Sequence, residues 1–253
     1  MGGGPTNRMS ELWFRTFLDS VDPAQTVTEV AFLQRQLPLG SHPRILDLCC
    51  GRGRHAIPLA ESGYEITGID RDDSVIGSAR RAAPAGASFL QMDARNVQQL
   101  GRRWDAAIIM WASFGYFERE ENLALLSDLR RCLSPDGRLI LDVYNRDFFE
   151  GRLGERRVHR GRQEVIEHKS LVDDRLLVEL RYVGHEVADR FSWQIFRPQE
   201  LLDTLTAAGF APEILCAEFN ERVQPTPEHA RMQVVASLQS VRGTAAPARR
   251  IGM

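Results

Sequence analysis

Lysine is almost missing from this 253-residue chain: Lys169 is the only one, and every other basic residue is an arginine. Arginine forks onto carboxylates and phosphates, but a bias this uniform reads as compositional habit rather than a set of anion clamps. Neither sign of charge is in excess. The 32 Lys+Arg against 34 Asp+Glu leave −2 at pH 7, so the cationic footprint of a duplex-binding protein is missing. Cysteine is sparse: Cys49, Cys50, Cys132 and Cys216 follow no metal-ligand spacing, and three of them sit in apolar runs. They read as buried, reduced thiols of a cytoplasmic protein. The six histidines are scattered, and no metal site is expected. No apolar run reaches membrane-spanning length, and Met1–Ser10 lacks the apolar stretch of a signal peptide. No membrane partner is expected.

What remains is an ordinary composition, 43% hydrophobic and 26% charged, in a chain long enough to bury a sizeable core. Residues 1–10 and 241–253 read as disordered tails, rich in Gly, Pro and Ala. Two amphipathic stretches, ELWFRTFLDSV and VTEVAFLQRQL, come first. Short unbroken apolar runs then alternate with helical segments: strands at Arg44–Cys49, Glu65–Ile69, Ala87–Gln91, Ala106–Met110 and Arg138–Val143, the last preceded by a Ser134–Gly137 turn. Apolar strands separated by helices imply an α/β, doubly wound, mostly parallel sheet covered on both faces. Its binding loops lie at the carboxyl ends of the strands. Between residues 150 and 196 the period changes to two, which predicts a small antiparallel β insertion. Residues 11–149 and 197–240 form the main domain, ending in a helix at Pro198–Ala208 and two strands. The insertion is either a roof over a pocket or a surface through which two copies pair.

The most informative segment is ILDLCCGRGRHA, residues 45–56. A strand carrying Asp47 leads through Gly51-x-Gly53 into a helix, whose amino terminus offers unpaired N–H donors. The same glycines fit a nicotinamide-dinucleotide fingerprint. Asp47 discriminates, because a carboxylate there repels a pyrophosphate and suits an ammonium. Asp70, with Arg71 beside it, ends the second strand, where a carboxylate accepts both hydroxyl protons of a ribose. Asp72 and Asp73 read as the cap of the next helix. Met92-Asp93-Ala94 follows the third strand, placed to hold an adenine amino group and ring face. Trp111, Phe114, Tyr116 and Phe117 sit where the fourth strand becomes loop and read as a pocket wall. Trp13, Phe14 and Phe17 form either a closing flap or a plain apolar helix face.

These segments, with EITGID, FLQMDAR, WDAAIIMWASFGYF, LRRCLSPDGRLILDV and PQELLDTLTAAGFAPEIL, resemble a class I S-adenosylmethionine-dependent methyltransferase of the compact bacterial small-molecule type, over roughly residues 12–238. The resemblance implies a Rossmann-like seven-stranded fold and a cofactor, S-adenosyl-L-methionine, leaving as S-adenosyl-L-homocysteine. It implies that Phe14, Asp47, Gly51, Gly53, Asp70, Arg71, Met92, Asp93, Ala94, Met110 and Trp111 bind that cofactor. The family's first loop glycine is Cys49 here. The nucleic-acid members' Asn/Asp-Pro-Pro-aromatic or Pro-Cys signatures are replaced by Met110-Trp111-Ala112-Ser113, so methyl transfer to N or O of a small molecule is expected. Tyr144 and Tyr116 are the candidate catalytic contacts, with Asn145, His185 and Arg197 near by and His55 as a packing residue. A nicotinamide oxidoreductase and a non-catalytic binding protein are the alternatives.

Overall fold

A computed structural model describes Asn7 and residues 9–239. The chain opens with α1 (Glu11–Trp13), running into a π-turn (Phe14–Leu18), and α2 (Pro23–Gln36). Five β-α repeats follow: β1 (Arg44–Leu48), α3 (Ala56–Glu61), β2 (Glu65–Asp70), α4 (Asp73–Ala82), β3 (Ala87–Gln91), a 3-10 helix (Ala94–Leu100), β4 (Trp104–Ile109), α5 (Arg119–Cys132), β5 (Leu133–Tyr144) and α6 (Arg146–Glu150). Four strands, β6 (Gly154–Arg160), β7 (Gln163–Val172), β8 (Arg175–Tyr182) and β9 (Ala188–Gln194), precede α7 (Pro198–Ala207), β10 (Phe210–Cys216) and β11 (Arg231–Leu238). Caps mark several starts: Asp22 accepts from Ala24 N ahead of Pro23, and Asp72 accepts from Ser74 N.

The main sheet has seven strands in the order β10-β11-β5-β4-β1-β2-β3. β1 to β5 pair in parallel, while β11 runs antiparallel to both β5 and β10. All six residues of central β4 are buried, whereas edge strand β3 buries only Phe89. Both faces carry a core, one around Trp104, Leu126 and Leu201, the other around Phe32, Ile45 and Leu59. The insertion is a separate meander, β6-β7-β8-β9, whose inner face is a third cluster including Val165, Leu176, Tyr182 and Phe191.

Three expectations change. Ser134–Gly137 lies inside β5 rather than in a separate turn. It bulges there, since Trp104 opposes Leu133 while Ala106 opposes Arg138, and the strand resumes pairing on both sides. The front segment is held rather than loose: Asn7 is buried, donates to Tyr116 O and Ser192 O, and accepts from Ser192 N. Its own carbonyl accepts from Arg71, so a side chain with amide donors and acceptors staples the chain start to both sheets. Phe114 is core, stacked on Phe196 at 5.8 Å, and faces away from any pocket. Residues 1–6, 8 and 240–253 lie outside the described residues.

Gly115 sets how closely the insertion docks. Its φ is +103°, Gln194 N donates to its carbonyl at 2.8 Å, and a Cβ would stand 2.3 Å from Gln194 O. Gly115→Ala is expected to destabilise the protein by about 2–4 kcal/mol, combining left-handed strain and overpacking. Gly40→Ala, with nothing within 4 Å, should change stability by less than about 0.5 kcal/mol. Urea unfolding of both variants measures the difference.

Candidate active site

Between the carboxyl ends of the parallel strands and the inner face of the insertion lies a cavity of about 770 Å³. Asp47, Asp70 and Asp93, borne on or just after β1, β2 and β3, all border it. Asp47 sits in the middle of the sheet, opposite Gly68 and Ile108, and is 1% exposed. Its Oδ2 is buried with no hydrogen-bond partner. Burial, reinforced by the charge of Asp70 and opposed by the Arg54 guanidinium, pushes its carboxyl up to about 8. Such an oxygen is costly unless a cation or donor meets it.

The loop beyond β1 turns on left-handed residues: Cys49 at φ +56°, Gly51 at +55° and Gly53 at +80°. Cys49 adopts a conformation that favours glycine, at a cost of about 1–2 kcal/mol. Nothing stands within 4 Å of where a Cβ would be at Gly51, which borders the cavity. Gly53 does not border it. It faces Phe89 and Ile57, 3.0 and 3.1 Å from a built Cβ, and so packs the turn against the sheet.

Gly51 N donates to Asp70 Oδ2 and Asp72 N to Asp70 Oδ1, each at 3.0 Å. Both bonds fix the carboxylate's orientation and leave one acceptor site on each oxygen. Burial raises the Asp70 carboxyl against these two donors. Asp93 is more engaged. It caps the 3-10 helix and takes a fork from Arg95 at 3.0 and 2.7 Å, which holds its carboxyl below the usual range. Met92, Ala94, Met110, Trp111, Phe14 and Arg71 border the same cavity, as do Trp13 and Phe17. The flap reading of the front helix therefore has a structural basis, with Trp13 6.0 Å from Trp111 and 6.2 Å from Phe191.

Tyr116 and Tyr144 both border the cavity beside Trp193, at ring distances of 5.6 and 5.3 Å. Burial raises both hydroxyls, Tyr144 to about 12. Both are protonated at neutral pH and can donate a hydrogen bond, but they are not ready bases. Asn145 caps α6 and holds the Thr226 and His229 carbonyls, while Arg197 pairs with Asp147 and Glu150. Both serve the frame.

A buried ion network was missed from the sequence. Glu29, fully buried, binds Arg54 at 2.5 Å, His55 at 2.7 Å and Arg231 at 3.1 Å. Burial alone would raise its carboxyl, but His55 and the two guanidinium groups outweigh this and hold it well below the usual range. Burial depresses His55, so a neutral imidazole donates its Nε2–H to the carboxylate. Arg231 also binds Asp142 at 2.5 Å, and Asp142 Oδ2 accepts from Trp111 N at 2.9 Å. Trp111 and Ala112 are both left-handed at φ +58°, and Asp142, whose main-chain carbonyl accepts from Ala112 N, pins that strained pair. Arg54 lies 5.2 Å over the Trp111 ring, closing the circuit. An acid inside the apolar run Leu139–Val143 was the one sequence signal; Glu29, on an amphipathic helix, gave none.

The raised Asp47 carboxyl has a stability consequence with a definite sign. The folded protein keeps a proton up to about pH 8 that an unfolded aspartate releases near 3.8, so this group's contribution falls as pH rises through that window. Asp47→Asn should therefore raise the melting temperature of the ligand-free protein. The gain should grow from pH 5 to pH 8 and flatten above, as scanning calorimetry would show. A gain independent of pH would contradict the assignment.

Comparison with known proteins adds to this geometry. Residues 45–137 match the family model described as a methyltransferase domain. The YqeM protein of Bacillus subtilis, named as a methyltransferase, is 34% identical over 105 residues, 40% of this chain and 42% of that protein. The chain thus spans about two fifths of that relative's length. The dTDP-3-amino-3,6-dideoxy-alpha-D-glucopyranose N,N-dimethyltransferase of Streptomyces fradiae is 26% identical over 199 residues, 73% of this chain and 76% of the relative. A crystal structure of an S-adenosylmethionine-dependent methyltransferase from Clostridium acetobutylicum superposes with a TM-score of 0.75 at 12% identity, covering 90% of this chain and 96% of that one. Residues 45–137 thus match a methyltransferase-domain model, and the chain as a whole shares the Rossmann-like fold of the Clostridium acetobutylicum structure.

Proposed function

We propose that the protein transfers a methyl group from S-adenosyl-L-methionine to a nitrogen or oxygen atom of a small molecule. The observation that carries this reading is the partnerless, buried oxygen of Asp47 on a rim shared with Asp70 and Asp93. When bound, the cofactor supplies an electrophilic methyl group on a sulfonium. The residues present fit its parts. Asp47 would meet the ammonium, the free acceptor sites of Asp70 the ribose hydroxyls, and Met92, Asp93 and Ala94 the adenine. Arg71 and Phe14 close the same end, and Met110 and Trp111 face the space between cofactor and acceptor. A pyrophosphate would meet buried Asp47 and half-buried Asp70 instead, which counts against the nicotinamide reading.

Catalysis on this reading is mainly alignment and exclusion of water, worth up to roughly 7–11 kcal/mol. The strained Trp111-Ala112 pair is fixed by Asp142, so that wall of the cavity does not reorganise during reaction. Tyr116 and Tyr144 orient the acceptor as hydrogen-bond donors. The insertion acts as the roof: its inner face borders the cavity. On the outer face Arg157–Glu164, Arg181–Glu155 and Arg190–Glu179 are ion-paired. That solvated face is a poor surface for pairing two copies. A cytoplasmic setting is supported by the four free thiols, and no helix among the described residues is long and apolar enough to cross a membrane.

Calorimetry with S-adenosylhomocysteine and a metabolite screen with methyl-labelled donor test the proposal together. Asp70→Ala removes two charge-assisted hydrogen bonds, each worth roughly 1.5–3 kcal/mol, so affinity should fall by at least about 100-fold while far-UV circular dichroism is unchanged. Wild-type affinity in that variant would remove the ribose assignment. Saturable NADH binding with no S-adenosylhomocysteine binding would overturn the function.

A further inference from the structure

At the glycine-turn end of the cavity Asp47, Asp70 and Asp93 mix with Arg52, Arg54 and Arg71, while the far wall, the inner face of the insertion, carries a charged pole of its own. Cross-strand register divides that face. Leu176, opposite Trp193, and Val178, opposite Phe191, form an apolar half on β8 and β9. Arg156, opposite Glu167, begins a charged half on β6 and β7 that also holds Arg160 and Lys169. Glu167 is buried and is shared by Lys169, which donates to it, and Arg160 at 3.6 Å. One carboxylate between two cations leaves a positive excess. Arg156, exposed at the cavity edge and with no ion-pair partner among the described residues, adds to it. The chain's single lysine is therefore spent inside this cavity, with its side chain 18% exposed, where a compact ammonium replaces the arginine used everywhere else.

We propose that this pole binds an anionic group, a carboxylate or a phosphate, on an acceptor whose apolar body lies against Phe191 and Trp193. The site takes the ligand by charge at one end and by ring contact at the other. Calling that ligand the methyl acceptor rests on the function proposed above; the anion site itself does not.

The test is calorimetric titration of the full chain with 1-naphthylacetate, 1-naphthyl phosphate and the uncharged 1-naphthylacetamide, with S-adenosylhomocysteine saturating and again without it. At least one anion should bind tenfold or more tightly than the amide, and the tighter of the two identifies the group. Lys169→Met and, separately, Arg156→Gln should each cut that preference at least threefold. Affinity for the amide and for S-adenosylhomocysteine should stay unchanged in both. Arg156 is exposed, so its variant guards against a folding defect in the other. Equal or absent binding of the three probes, or a preference untouched in both variants, overturns the anion site. If S-adenosylhomocysteine fails to bind while the preference survives, the methyltransferase reading falls and the anion site stands.

Discussion

Asp47 has a buried carboxylate oxygen that no hydrogen bond meets, and such an oxygen favours a donor or a cation beside it. Asp47 is held at the centre of a seven-stranded sheet, walled by Gly68 and Ile108 on the neighbouring strands, where solvent cannot relieve it. Asp70 stands near enough to raise it further. Two acids placed together in a low-dielectric pocket destabilise the empty protein. On the proposed reading a positively charged ligand would compensate them, and the same placement would disfavour a pyrophosphate. On the function proposed above, selectivity for a cationic nucleoside would follow from two side chains and the fold that crowds them.

A second constraint keeps the facing wall still. Trp111 and Ala112 occupy conformations that side chains resist, and Asp142 holds both main-chain N–H groups of the pair. Asp142 is tied through Arg231 to Glu29, and Glu29 to Arg54 and His55 beside the glycine turn. The glycine turn and the fourth-strand loop are therefore parts of one hydrogen-bonded body. Removing one partner would leave uncompensated charge, which in buried networks typically costs about 3–5 kcal/mol. The strain at Trp111 is sustained by that network rather than by local propensity.

The parallel half of the fold was legible because each strand is a short, unbroken apolar run ended by a chemically distinctive residue. Asp47, Asp70 and Asp93 could be placed on one rim since parallel strands all point their carboxyl ends the same way. Period two gave the insertion, whose observed strands span Gly154–Gln194. Phe114 was misread because a residue next to a loop can face either a cavity or the core, and sequence does not show the direction of a Cα–Cβ bond. Asn7 lay in a glycine-rich start with no periodicity to mark it, and its anchoring needs acceptors more than a hundred residues away. Glu29, Arg54 and Arg231 meet only in three dimensions.

The central claim is that Asp47 awaits a cation, and its direct measure is the proton released when one binds. Below about pH 8 the empty-site carboxyl carries a proton. An ammonium beside it favours the ionised form, lowers its pKa and expels that proton. Titrating S-adenosylhomocysteine at pH 7 in two buffers of different ionisation enthalpy should reveal release approaching one proton per site, declining as pH is raised past 8. Binding with no proton release across pH 6.5–8 would contradict the account.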